Sequence, residues 1–286
     1  MQKRILVSLA FILVCWSATL SQQAQPQLQP LTFFYEYTVN PGQEEEFWSL
    51  VKTVGQPVRD KFLADGVVHA WGIEVPLLRS PGGPTHLIWF TVSDWAGVEK
   101  VLNGMAAQLA KLAAEEAKAA DAARKNRQKP AMTTAERTRA VFDASKTRDW
   151  LTRDLVIGLT SAEPPAGLLP YTRYGWVKVR PGKGGEYRKA WEKYNKPVLD
   201  KLLSDGVILA YGLAVEEVKT DGNFTHFTWA ATPNLAAADK ATAAFAADRA
   251  RRSQDERDDI SALFASLTDP DAARSAVTRA VVFRVK

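Results

Sequence analysis

The residues of this chain best suited to chemistry near neutral pH are its three histidines, His69, His86 and His226. Imidazole titrates in that range and can take or give a proton. His86 and His226 share a local context, Thr85-His86-Leu-Ile-Trp89 and Thr225-His226-Phe-Thr-Trp229, 140 residues apart. Such a pair reads either as polar groups facing a cavity, able to act as a base or hold an anion, or as strand-edge histidines bonded to their own turn with help from the adjacent threonine. The second reading is favoured, because neither has a nucleophile or carboxylate at a fixed offset. His69 alternates with Trp71 and Ile73, where the later copy has Leu209, Tyr211 and Leu213. It is either a pocket residue peculiar to the first half or a partly buried core residue, the commoner case.

The aromatic residues Tyr35, Tyr37, Trp71 and Tyr211 are the candidate ligand contacts. Trp89 and Trp229 have opposite parity to His86 and His226, so they project from the other face of their strands and read as core. No Gly-rich phosphate loop, paired-histidine metal motif or nucleophile elbow is present. That excludes nucleotide-driven chemistry and zinc hydrolysis, and no metal or cofactor is expected.

These residues sit in a unit that occurs twice. Aligning 33–92 with 173–232 without gaps gives about 19 identical pairs in 60, among them Pro41-Gly42 with Pro181-Gly182, Pro57 with Pro197 and Asp65-Gly66 with Asp205-Gly206. Each copy opens with a β-rich segment ending at the Pro-Gly turn, followed by apolar residues at helical spacing, Phe47, Leu50, Val51, Val54, Val58 and Phe62 in the first. Pro57 and Pro197 should kink or restart that helix, and Asp-Gly should end it. A strand hairpin follows, with turns at 79–84 and 219–224. A second helix then starts at Asp94 in the first copy and, in the second, after Thr232 with Pro233 as its first residue. Thr133-Thr-Ala-Glu136 and Ser253-Gln-Asp-Glu256 resemble capping boxes opening one more helix. Final strands are predicted at 151–159 and 277–285, where Thr152-Arg153 matches Thr278-Arg279 and the offset has fallen to 126.

The order is β-α-β-β-α-β in each half, with an added helix before the last strand. It predicts an α+β fold of two ferredoxin-like units, each a four-stranded antiparallel sheet with helices on one face. Strands such as Leu87-Ile88-Trp89-Phe90 are apolar on both faces, so the second face of each sheet must be covered, and the other unit is the natural cover. The expected division is a signal peptide at 1–21, a Gln/Pro-rich tether at 22–30, unit one at 31–160, a linker at 161–170 and unit two at 171–286.

The 286 residues, 46% hydrophobic with nine Trp, suffice for two packed units. Lys3 and Arg4 followed by the apolar run 5–16 read as an export signal, too short to span a bilayer, so a periplasmic or secreted protein with no membrane association after cleavage is expected. Cys15, the one cysteine, lies in that run, which leaves the mature chain without thiols. A net charge of +5, modest and unclustered, gives no support to nucleic-acid binding.

With its Pro41-Gly42 turn, long helix, Asp65-Gly66 terminator and hairpin, each with a second copy, the chain resembles the dimeric α+β barrel superfamily, which includes antibiotic-biosynthesis-monooxygenase-like and NIPSNAP-like domains. The resemblance covers nearly all of the mature chain. It implies a barrel normally made from two chains and here made from one tandem duplication, a monomer containing its own pseudo-dimer. Haem-degrading members use a histidine on the second helix, and neither second helix here contains one. The expected function is binding of a small apolar or aromatic molecule, or a structural role, without a recognisable catalytic constellation. The alternative is a cofactor-independent monooxygenase or isomerase-like enzyme for an aromatic or polyketide-like substrate, with His86, His226 or His69 as base. A third reading is a protein interaction module using the long helix of unit one.

Overall fold

Proline and glycine punctuate the chain where the sequence leads one to expect. In a computed structural model describing residues 29–79, 83–160, 167–220 and 224–286, the first strand, β1 (Leu31–Tyr37), leads through the Pro41-Gly42 turn into a helix. That helix is α1 (Glu44–Leu50), a wide π-helical stretch (Val51–Gly55) and α2 (Gln56–Ala64). The π-turn lets the chain restart with Pro57 in the first turn of α2, where a missing N–H costs no hydrogen bond. Gly66, at φ 74°, then takes the left-handed position that ends α2. Strands β2 (Val68–Pro76) and β3 (His86–Val92) pair as the expected hairpin.

Asp94 caps α3 (Trp95–Lys125) by accepting from Gly97 N at 2.8 Å. Thr133 and Glu136 form a complete capping box for α4 (Thr134–Val141), and β4 (Arg148–Leu159) closes the unit. The second unit repeats the plan as β5 (Tyr171–Val179), α5 (Gly184–Tyr194), α6 (Lys196–Ser204), β6 (Ala210–Glu216), β7 (His226–Thr232), α7 (Leu235–Ala250), α8 (Gln254–Leu267) and β8 (Thr268–Val285). Three local expectations are corrected. The cap of α7 is Asn234, accepting from Ala237 N at 2.9 Å, and Pro233 lies before it. Ser253 accepts from Glu256 N at 3.1 Å as half of a box. Strand β8 begins at Thr268, because Thr268 and Asp269 pair with Val179 and Lys178. The signal, most of the tether, Cys15, the centres of both hairpin turns and most of the linker fall outside the described residues.

Each unit has the strand order expected of a ferredoxin-like sheet, β4-β1-β3-β2 and β8-β5-β7-β6, and the two sheets close into one eight-stranded antiparallel barrel. Closure uses two seams: β2 pairs with β8, and β4 with β6. The fourth strand of each unit thus completes the sheet of the other, leaving no free edge. Helices cover the outside. Phe47, Val58, Trp71, Ile73 and Phe90 are buried under those of unit one, and Tyr187, Trp191, Leu202, Tyr211 and Leu213 under those of unit two. A third cluster, with Phe34, Trp150, Tyr174, Trp176 and Phe227, fills part of the barrel interior.

Glu74 is the polar fastener of this interior. Only 1% exposed, it receives the Trp89 indole N–H at 3.0 Å, the Tyr174 hydroxyl at 2.9 Å, the Thr172 hydroxyl at 3.3 Å and the Thr278 hydroxyl. Three of these donors belong to the other unit. Replacing Glu74 with Ala takes the acceptor from Trp89, Thr172 and Tyr174 and leaves Thr278 only the Thr172 carbonyl, and should lower unfolding free energy by about 3 to 5 kcal/mol, as for other broken buried polar networks. Equilibrium denaturation of Glu74→Ala checks this; a loss below about 1 kcal/mol, typical of an ordinary exposed pair, means the network does not hold the units together.

Candidate functional site

Strand parity divides the candidate residues between two environments. On β1, Thr32, Phe34 and Glu36 face the barrel interior, while Phe33, Tyr35 and Tyr37 face the helices. The interior contains a cavity of about 920 Å³ lined by Phe34, Trp89, Tyr174, Phe227, Trp229 and Phe283 among others. It runs to the barrel end where β1 and β5 begin, lined there by Gln29, His69, Leu159 and Lys286, and Leu159 is 63% exposed. The opposite end is filled by buried Trp150, Trp176 and Phe224, with Phe34 stacked on Trp150 at 3.9 Å, and by the Glu36–Arg148 ion pair at 2.6 Å. The pocket is a mainly apolar cup with several aromatic rings in its wall, open at one end and of a size suited to one small molecule.

Two carboxyls line this cup, Glu74 and Asp154. Each lies in a seam. A one-residue bulge sets Glu74 opposite Ala280 in one seam and Asp154 opposite Ala214 in the other. Glu74 is saturated by its four donors; burial raises its pKa, and the donors pull it back. Asp154 is 4% exposed, and burial pushes its carboxyl up to about 7, with only the Trp229 indole acting against the shift. The poverty of its surroundings has a cause in the sequence. The positions matching Tyr174, Thr172 and Thr278 are Phe34, Thr32 and Thr152. Phe34 has no hydroxyl, Thr32 bonds Thr91 at 3.0 Å, and Thr152 donates to the Thr32 carbonyl at 3.5 Å. An aspartate is also one methylene shorter than a glutamate. Asp154 therefore keeps acceptor capacity on the cavity side.

The sequence candidates distribute differently from expectation. His86 and His226 are buried on the helix side, where His86 packs on Phe47 (4.2 Å between rings) and His226 on Tyr187 (5.1 Å). Their Nδ1 atoms lie 2.9 and 3.0 Å from Thr85 and Thr225 Oγ1, the turn-bonded arrangement. Burial holds both near pKa 4, hence neutral at pH 7. His69 does reach the cavity rim, 2.7 Å from Ser93 Oγ, because the irregularity between Val68 and Ala70 breaks its alternation with Trp71 and Ile73. Tyr35, Tyr37, Trp71 and Tyr211 do not line the cavity; they pack beneath the helices, Trp71 donating to Asp60 at 3.1 Å and Tyr211 to Asp200. Trp89 and Trp229 point into the barrel, opposite to the histidines as parity requires, and are ligand-accessible as well as core. Glu74 and Asp154 were missed. Their one legible signal is the repeated glycine beside each tryptophan: Gly72 pairs with Trp89 and Gly212 with Trp229, and a Cβ on Gly72 would lie 2.8 Å from the indole.

Among the described residues no cluster of three or more His, Cys, Asp or Glu could hold a metal ion, and no helix is long and apolar enough to cross a membrane. Haem would need an axial ligand. The only histidine on the cavity is His69 at the rim, engaged with Ser93, and the interior donors are fitted to carboxyls, so this cup does not suit it.

No protein-family model matches the chain, nor does any curated protein. Solved structures do resemble it. A protein of Fusobacterium nucleatum provisionally assigned as a monooxygenase is 10% identical, over 90% of this chain and 95% of that one, with a TM-score of 0.57. A Lactobacillus acidophilus protein with the same provisional assignment is 8% identical over 90% and 96%, with a TM-score of 0.55. A haem-binding protein of Thermus thermophilus is 7% identical over 89% and 92%, with a TM-score of 0.50. At these identities the likeness is one of fold, and with the closed barrel it places the chain in the dimeric α+β barrel fold.

The buried groups give the stability a definite pH dependence. Asp154 holds its proton longer folded than unfolded, so its contribution is present below about pH 4 and is lost as pH rises through 7, on the order of 4 kcal/mol over three pH units. The neutral histidines act in the opposite sense, losing their contribution as pH falls from 6.5 through about 4. Asp154→Asn should therefore be markedly more stable than the parent at pH 8 and little different at pH 4, while His86→Gln should flatten the acid limb. Melting temperatures at half-unit pH steps measure both, and an Asp154→Asn gain independent of pH would show that the carboxyl does not titrate in the fold.

Proposed function

We propose that the barrel cup binds a small, mainly apolar aromatic or polyketide-like molecule and that the chain is a cofactor-independent enzyme of the monooxygenase or isomerase-like kind, with Asp154 as its proton-transfer group. The observation that carries this is a carboxyl with pKa about 7 and unfilled acceptor capacity in an aromatic cavity. A base poised near the working pH can take a proton from an acidic C–H or O–H and, as the acid, return it elsewhere on the substrate. Return at another carbon is isomerisation; the deprotonated, electron-rich substrate is also the species that dioxygen oxidises without a cofactor. The monooxygenase assignment of the Fusobacterium and Lactobacillus proteins supports this over a structural role. Asp154 replaces the histidines as the base, since His86 and His226 turn away from the cavity.

The remaining organisation belongs to the same proposal. A tandem duplication made a one-chain barrel, with units at 31–160 and 171–286 joined by the linker 161–170. The chain is exported to the periplasm or beyond and works as a monomer, with no nucleic-acid or membrane partner. The matched seams and the 19 repeated identities support the duplication.

Hydroxylated polycyclic aromatics should quench Trp89 and Trp229 fluorescence and raise the melting temperature. Turnover, followed as product formation with and without oxygen, should rise with pH through about 7 as Asp154 ionises, and Asp154→Asn should lose about 10²- to 10⁴-fold in kcat while still binding. Binding without turnover in the parent, unchanged by Asp154→Asn, would leave a carrier and exclude the enzyme.

A further inference from the structure

On the helix side of unit one lies a charged group that the cup does not use. Arg59, in α2, is 3% exposed, and its Nε is buried without a hydrogen-bond partner. Its guanidinium carbon lies 5.9 Å from the Tyr35 ring centre and 5.8 Å from that of Trp71. One Nη packs against Gly55 at the end of the π-turn, in the space a Cβ would occupy. Asp60, the carboxylate whose charge acts on Arg59, is engaged by Trp71 Nε1 and Gln56 Nε2, each at 3.1 Å, and makes no ion pair with it among the described residues. Burial lowers the pKa of Arg59, the sign of a cation short of counter-charge.

The fold does not require this arrangement. At the matching positions of unit two, Arg59 is replaced by Leu199, Tyr35 by Gly175, Tyr37 by Val177 and Asp149 by Ser275. Leu199 is buried in the second helix-side core. Unit one has thus gathered a guanidinium and two phenols, with Asp149 across from Tyr35 in the β1–β4 register, where unit two has apolar or small residues. Tyr35 and Tyr37 stack at 5.9 Å, and among the described residues neither hydroxyl has a protein hydrogen bond. A π-turn in the helix above is the kind of local irregularity that recurs at functional sites.

We propose that Arg59, with the hydroxyls of Tyr35 and Tyr37, binds a small oxyanion or carboxylate between α2 and β1. A guanidinium and two O–H donors are groups that such an anion accepts from; the Tyr35 and Trp71 rings meet only the face of the guanidinium, and Arg59 Nε has no hydrogen-bond partner. The site is independent of the cup, since Tyr35 and Phe34 face opposite sides of β1. Its ligand is either a free inorganic anion or the carboxylate of an organic molecule.

The test is a melting-temperature titration of the full chain with sodium sulfate and, separately, sodium formate, against sodium chloride at equal ionic strength. A saturable rise that Arg59→Leu abolishes is expected, and Arg59→Leu should fold, as Leu199 does in unit two. Saturation by formate alone assigns a carboxylate, and by sulfate alone an inorganic oxyanion. No saturable rise over chloride, or the same rise in Arg59→Leu, overturns the proposal. Should Arg59→Leu fail to fold, the double variant Tyr35→Phe, Tyr37→Phe keeps the packing: a weaker half-saturation, by about tenfold, upholds the site, and an unchanged one overturns it.

Discussion

The structure depends on the closure of the barrel at its two inter-unit seams. A four-stranded sheet with helices on one face leaves its other face bare and two edges unpaired. Pairing β2 with β8 and β4 with β6 removes all four edges of the two sheets and turns the bare faces into a common interior. The seams are not regular. Val281 in one and Leu155 in the other are extra residues, and the register they shift sets a carboxyl opposite a methyl group in each. In the first seam the acid is Glu74 on β2, in the second Asp154 on β4. The matched positions hold Ala214 and Ala280, so neither seam faces the repulsion of two buried acids.

From this common geometry the two acids diverge through their neighbours. Glu74 meets Thr172, Tyr174 and Thr278, all from unit two, and becomes a satisfied cross-link between the units. In the seam of Asp154 the position matching Tyr174 is Phe34, and the matching threonines are spent elsewhere, Thr32 on Thr91 and Thr152 on the Thr32 carbonyl. A carboxyl in low dielectric with few donors holds its proton, which moves its pKa toward neutrality. Glu74 is thus the acid answered on every side, and Asp154 the one whose pKa burial raises with little opposing it.

Local chemistry made most of the architecture legible. The repeated Pro-Gly and Asp-Gly pairs, the helical spacing around Pro57 and Pro197, and strands apolar on both faces led to two ferredoxin-like units closed on each other, as found. Parity placed the histidines and tryptophans on opposite faces. The site was harder because it depends on register between distant strands. Glu74 alternates with Ile73 and Val75 like any solvent-facing polar residue of a half-exposed strand, and only closure makes its face an interior. His69 left the face its alternation implied because the β2–β3 register shifts beside it. Tyr35, Tyr37 and Trp71 were grouped as aromatic ligand contacts, and they do gather in one place, but beneath the helices around Arg59.

Polar groups in buried positions burden a fold unless they are answered, and among the described residues both units carry such atoms: Arg59 Nε and Trp150 Nε1 in unit one, Trp176 Nε1 and Glu216 Oε2 in unit two. Unit two supplies Thr172, Tyr174 and Thr278, which satisfy Glu74, and fills the place of Arg59 with Leu199 and that of Asp154 with Ala280. Unit one carries Asp154, its carboxyl raised by burial, on the inner face of its sheet and the buried cation Arg59 on the outer. Both faces of β1 border one of them: Phe34 leaves Asp154 short of a donor inside, and Tyr35 lies beside Arg59 outside. Packing alone gives no reason to retain either group, since unit two shows apolar residues filling both positions within the same topology.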